Sequence, residues 1–171
     1  MRESSFGESL PKAPVSYARV RDGIWSGGTY VCWGRDNREA PVRLCGSERG
    51  KSSSDGEEGG GGYNFELKCV DATSCVYVAL AGILGVGAHA VEKGALLMSG
   101  DCRKPVALMN EEERRAAGVH NAARLPQTIG EARALLRADG VLGEVLGRGF
   151  VEAYLSVNEV RRVPGTVFLV V

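Results

Sequence analysis

The chain has 171 residues, 44% of them hydrophobic, so it can build one ordinary core. Lysine plus arginine number 21 and aspartate plus glutamate number 21, which removes the global basic field that nucleic acid or an acidic membrane would require. Five cysteines, with no Cys-x-x-Cys pair and no histidine at ligand spacing, exclude a disulfide framework or a zinc site and fit a reducing, cytoplasmic setting.

Residues 1–15 are polar, contain Pro11 and Pro14, and read as an irregular lead-in without the apolar run of a secretory signal. Residues 17–20, 29–33 and 42–45 carry β-formers bounded by glycine and are expected as short strands. Residues 47–62 contain no apolar side chain before Tyr63, so they predict a disordered, solvated loop. In YNFELKCV, residues 63–70, Tyr63, Phe65, Leu67 and Cys69 alternate with polar partners, the period of a two-faced strand.

From Ser74 to about Glu92 the pattern turns helical and rich in small residues. Residues 75–91 carry no formal charge, yet they are short for a span and broken by Gly82, Gly85 and Gly87; a buried core helix is the expected outcome. An irregular stretch over residues 93–109 leads to the EEERRAA run, where acids precede bases as a helix start prefers. Thr128 and Glu131 have capping-box spacing ahead of a helix over 129–138. A second amphipathic helix is expected over 141–161, the two forming an antiparallel pair that caps the β part. Residues 162–171, an apolar tail around Pro164 and Gly165, receive no assignment.

Candidate chemistry gathers in the strand-rich part. Arg19, Arg38, Arg43 and Lys68 accompany a single acid, Glu66, and converging guanidinium groups suit carboxylate and phosphate oxygens. The alternative for these residues is a solvated face, with Glu66 in a cross-strand ion pair. His89 reads as a satisfied helix residue and His120 as an exposed one, and the glycines make no P-loop.

SYARV (16–20), NREAPVRL (37–44), NFELK followed by DATSCVYVALAGIL (64–84), and the closing helices from Arg124 onward occur in the order and spacing of class I glutamine synthetases. Together they resemble the C-terminal part of that family's catalytic domain over residues 16–161. The resemblance implies an α+β fold: part of a mostly antiparallel curved sheet with flanking and C-terminal helices. It also implies a glutamate–ammonia ligase, in which ATP phosphorylates glutamate, ammonium supplies the amide nitrogen, and Mg2+ or Mn2+ clamps the phosphates. Arg38 would be catalytic; Arg19, Arg38 and Lys68 would hold substrate, Arg38 and Arg43 the ATP, and Glu66 a metal. Lys51 would stand in for an ATP-binding lysine. The family forms homo-oligomers.

Three departures qualify this. Lys68 replaces an arginine and loses its bidentate fork. Gly23-Ile24-Trp25-Ser26-Gly27-Gly28 occupies the place of an acidic flap, and WSG, CWG and NREA are similar to the divergent branch of fungal developmental regulators and plant nodulin-like proteins. The family's upstream half, with most metal ligands, has no counterpart here. The implied chain is therefore inactive alone, whether as a fragment, a truncated gene model or a degenerate paralogue. A noncatalytic interaction module is the alternative.

Overall fold

The computed structural model describes residues 17, 19–24, 27–46, 62–70 and 74–160. The expectations for the lead-in, the 47–62 loop apart from Gly62, Lys51 and the 162–171 tail fall outside these residues. The class is α+β: a three-stranded sheet in the order β1-β2-β3, followed by helices.

Strands β1 (Trp33–Arg35), β2 (Val42–Cys45) and β3 (Asn64–Leu67) make a mixed sheet, for β1 runs parallel to β2 and only β2 and β3 are antiparallel. The expected mostly antiparallel pairing is thus met by one ladder of the two. Parallel neighbours normally need a connection of about a dozen residues. Here residues 36–41 suffice because the strands are very short and Asn37 pins the loop. Its Nδ2 donates to the Cys102 carbonyl at 2.6 Å, and its Oδ1 accepts from the Glu39 N–H at 3.0 Å. Gly34 is required beside this loop, because a Cβ there would run into the Cys102 backbone.

Two expected strands resolve differently. Tyr17 and Arg19 lie in a helical turn, with Val20 N donating to the Tyr17 carbonyl at 3.1 Å. Residues 29–33 contribute an isolated bridge, Tyr30 to Arg124, and the start of β1. Their backbone partners are Ala123 and Leu125, in a loop, so no ladder can propagate.

The first core cluster joins Cys32, Ala40, Cys102, Val106, Met109 and Val119. It links the residue before β1, the 36–41 loop, a short 3-10 turn (Val106–Leu108) and the segment after α2 (Glu111–Ala116). A capping box starts α2, with Asn110 Oδ1 accepting from Glu113 N and the Glu113 carboxylate accepting from Asn110 N, both at 2.8 Å.

The second cluster is helical: Val86 of α1 (Val76–Glu92), Leu136 of α3 (Ile129–Ala138), Leu142 of α4 (Gly140–Val145), and Val151 and Leu155 of α5 (Arg148–Val160). The helix expected over 141–161 is two helices. Gly147, at φ 86°, takes the left-handed conformation that ends α4. These helices pack on one another and on α1 rather than capping the sheet as an antiparallel pair. Nor is α1 a buried core helix: Ala79, Gly82 and Val86 are buried, while Tyr77, Leu84 and Val91 on the other side are exposed. Among the described residues no helix is long and apolar enough to cross a membrane.

Candidate functional site

The β2–β3 ladder sets Arg43 directly opposite Glu66. Arg43 Nη1 donates to Glu66 Oε2 at 3.0 Å, and Lys68 Nζ lies 3.8 Å from the same oxygen. The hydrogen bond to Glu66 pushes the Arg43 guanidinium further up, so it stays a full cation. Lys68 follows β3 with its side chain only 11% exposed. Its Nζ donates to the Arg38 carbonyl at 2.6 Å, while its backbone N–H donates to the Pro41 carbonyl at 2.9 Å. Lys68 thereby ties β3 to the loop that bears Arg38.

Arg38 projects from that loop into solvent, and Arg19 is exposed on the helical turn at the start of the described chain. The segment after Arg19 reaches the cluster through backbone contacts. Gly28 N donates to the Glu39 carbonyl at 2.7 Å, Gly23 N donates to the Glu39 carboxylate at 3.1 Å, and a Cβ on Gly27 would touch that of Lys68 at 3.8 Å. Side-chain contact thus unites Arg43, Glu66 and Lys68. Arg38 joins them through its carbonyl, whereas Arg19 makes no described contact with the three.

Composition did not reveal what holds the 19–29 segment in place. Asp22 accepts from the backbone N–H and the hydroxyl of Thr29, both at 2.9 Å, and from Arg124 at 3.1 Å. Burial pushes the Asp22 carboxyl up, but the Thr29 and Arg124 bonds outweigh it and hold it below the usual carboxylate range. The Arg124 guanidinium lies 3.7 Å from the Tyr30 ring centre and donates to its hydroxyl. The only sequence signal was Arg124 itself, at the head of RLPQ.

A shallow cleft among Asp22, Tyr30, Cys32, Asn37 and Glu39 holds only about 10 Å³, room for about one water. That is far below the roughly 300 Å³ at which ligand pockets begin. The hydrogen bond with Cys102, together with burial, pushes the Cys32 thiol far up, which removes it as a nucleophile. His120 is exposed, and His89 lies 4.0 Å from Glu144. Among the described residues no three His, Cys, Asp or Glu side chains gather as a metal site.

The catalytic domain of glutamine synthetase matches residues 11–164. Protein fluG of Emericella nidulans is 35% identical over 144 residues, 84% of this chain and 15% of that protein. Gamma-glutamylpolyamine synthetase GlnA3 of Streptomyces coelicolor is 32% identical over 146 residues, 85% of this chain and 29% of that one. A solved structure, described as a novel glutamine synthase homolog, superposes with a TM-score of 0.63 at 26% identity, covering 95% of this chain and 33% of its own. The chain spans a third or less of each of these proteins. Its α+β fold, its matched residues and its similarity to Protein fluG and GlnA3 agree: the chain belongs to the glutamine synthetase family, within the C-terminal part of the catalytic domain.

Proposed function

We propose that the chain carries the anion-holding side of a glutamate–ammonia ligase site and does not complete the reaction alone. The observation that carries this reading is the convergence of Arg43, Glu66 and Lys68 on paired strands beside the Arg38 loop. In the proposed reaction a γ-carboxylate oxygen of glutamate attacks the terminal phosphorus of ATP, and the bond to ADP breaks. Ammonia then attacks the acyl carbon, inorganic phosphate leaves, and the nitrogen gives up a proton. Arg43 and the exposed Arg38 would neutralise phosphate oxygens, with Arg38 also stabilising the transferring group. Arg19 and Arg38 would hold substrate carboxylates. Lys68, largely buried and bonded to the Arg38 carbonyl, would serve substrate mainly by steadying that loop.

Glu66 would give one ligand to Mg2+ or Mn2+, which supplies further charge neutralisation when bound. The described residues do not by themselves fit such an ion. One carboxylate already paired with two cations is a small part of the about six oxygen ligands it takes. That shortage also favours a second reading, a noncatalytic module that keeps the fold.

The test is calorimetric titration of the folded chain with ATP, beside an assay of glutamine formation from glutamate, ammonium and ATP with magnesium. The expected result is weak ATP binding, reduced at least about tenfold by Arg43→Met through loss of a charge-assisted hydrogen bond, and no glutamine. Absence of ATP binding, or binding indifferent to Arg43→Met, would overturn the anion-site reading and leave the module. Glutamine formation would overturn the claim of inactivity.

A further inference from the structure

Side chains two residues apart on extended chain share a face. Where the chain enters β1, Cys32 and Gly34 are the buried pair, and Trp33 and Arg35 are more exposed. The face of Cys32 and Gly34 is covered by the chain around Cys102. The Cys102 N–H donates to the Trp33 carbonyl at 3.1 Å, and a Cβ on Gly34 would strike the Cys102 carbonyl. Asn37 holds the same carbonyl at 2.6 Å. Cys102 is thereby pinned beside Cys32: the two share one core cluster, are 0 and 8% exposed, and are hydrogen-bonded sulfur to sulfur. The other cysteines lie elsewhere, Cys45 on β2, Cys69 beyond β3 and Cys75 ahead of α1.

We propose that Cys32 and Cys102 form a reversible disulfide under hydrogen peroxide, a redox-sensitive staple that locks the segment around Cys102 onto β1 and, through Asn37, onto the loop bearing Arg38. Every contact involved lies within this chain, so the pair is independent of the ligase reading and of whatever covers the surface. Hydrogen peroxide is the oxidant whose size fits. Cys32 lines the cleft with room for about one water, which turns away a bulky disulfide. Residues 95–105 contain no helix or strand, and local opening there admits a small molecule to Cys102.

The two sulfurs take unequal roles. The hydrogen bond from Cys32 holds the Cys102 thiol below its ordinary value, against burial and the nearby Asp101. Cys102 is therefore the attacking thiolate. Its sulfur bonds to one peroxide oxygen, the O–O bond breaks, and the departing hydroxide takes the proton that Cys102 gave up, leaving water and a sulfenic acid on Cys102. The Cys32 sulfur then attacks the Cys102 sulfur, the S–O bond breaks, and hydroxide leaves with the Cys32 proton as a second water. Two thiols and one peroxide become one disulfide and two waters. Cys32, no nucleophile while bonded to Cys102, can act in this second step because the bond and the charge of Cys102 that push it up are gone.

The experiment treats the full chain with hydrogen peroxide, in native buffer and in urea, then alkylates the remaining thiols and maps the digested peptides by mass spectrometry. The native chain should yield a Cys32–Cys102 peptide within one molecule, lighter by two hydrogens than its reduced halves, and dithiothreitol should reverse it. Three of the five cysteines should remain for alkylation. In urea, Cys69 and Cys75 should link instead, because a far shorter loop closes more readily once the fold no longer selects the pair. Cys32→Ser should stop at a Cys102 sulfenic acid that dimedone traps, and Cys102→Ser should keep Cys32 as a thiol. The oxidised chain should unfold at a higher urea concentration than the reduced one, since the long loop between the two cysteines is closed in its unfolded state. Both serine variants should lack that shift. The peptide map needs no substitution, so it decides the matter even where a buried serine unfolds the chain. Absence of a native link, a dominant link through Cys45, Cys69 or Cys75 or between two molecules, or the same pattern in native buffer and urea overturns the proposal. A Cys32–Cys102 link that leaves the urea midpoint unchanged overturns the staple.

Discussion

The two hydrophobic clusters are built from different materials. Around β1 and the 36–41 loop the buried side chains are small, Cys32, Ala40, Cys102, Val106 and Val119 among them, and polar groups fix the geometry. Asn37 grips the Cys102 carbonyl, Asp22 gathers Thr29 and Arg124, and Asp101 accepts the Arg35 N–H at 2.7 Å. The helical cluster is aliphatic, with Leu136, Leu142 and Leu155 at or below 2% exposure. Hydrogen bonds fix direction, whereas apolar packing fixes volume. The half that bears Arg38, Arg43, Glu66 and Lys68 is therefore a hydrogen-bonded frame around mostly small buried side chains, and the helical half is held by larger aliphatic ones.

Truncation in the helical half should have the largest effect. Leu136→Ala removes a side chain 2% exposed at the meeting of four helices, and it should destabilise the chain by about 2–5 kcal/mol in a denaturant titration. Since the helices pack mainly on one another, the melt should fall more in far-ultraviolet helicity than in the fluorescence of Trp33. Equal loss in both signals would show the two clusters to be a single cooperative unit.

Acid should probe the other half. Burial pushes the Asp22 and Asp101 carboxyls up, but the bonds they accept outweigh it and hold both below the usual carboxylate range. Glu113 is lowered too, by the Asn110 N–H and by Lys104. A carboxyl whose folded pKa lies below its unfolded one contributes stability above the unfolded value, about 4, and loses it as pH falls through the folded value. Trp33, whose indole donates to the Ser99 carbonyl at 3.0 Å, should report this loss before helicity changes. Helicity collapsing first on a pH titration would refute the division.

The sequence displayed each half unequally for the same reason. Helix α3 was legible to its ends because its signals are local: the Thr128 oxygen accepts from Glu131 N, and an apolar stripe follows. Strand β2 was legible as a four-residue run of β-formers between Pro41 and Gly46. The break at Gly147 was hidden, since the stripe continues through it and only the positive φ separates α4 from α5. In the β half the deciding partners are remote, Asp22 with Arg124 and Asn37 with Cys102, and no periodicity records them. The pairing of Glu66 with Arg43 and Lys68 is the cross-strand ion pair that the residues offered as an alternative, but which arginine lies opposite could not be read, because its physical cause is a strand register between residues 23 apart.

The smallest predicted effect sharpens the contrast inside the helical half, where two arginines one turn apart on α3 reach the same end of α5. Arg133 is 6% exposed and donates through Nε to Asn158 Oδ1 at 2.8 Å and through Nη2 to the Asn158 carbonyl. Arg137 is 59% exposed and meets Glu159 at 2.9 Å. An exposed pair gains little, because water screens the charges and two long side chains lose rotamer freedom; Arg137→Met should shift stability by about 0.5 kcal/mol or less. Arg133→Met leaves the Asn158 side-chain oxygen and carbonyl without their donor in a partly buried place, an expected loss of about 1–3 kcal/mol. The two variants, measured by urea titration with and without 0.5 M salt (roughly the range where surface pairs are screened), should therefore differ in kind. Salt should erase the Arg137 effect and leave that of Arg133. Equal and equally salt-sensitive losses would mean that charge, rather than the burial of a donor, joins α3 to α5.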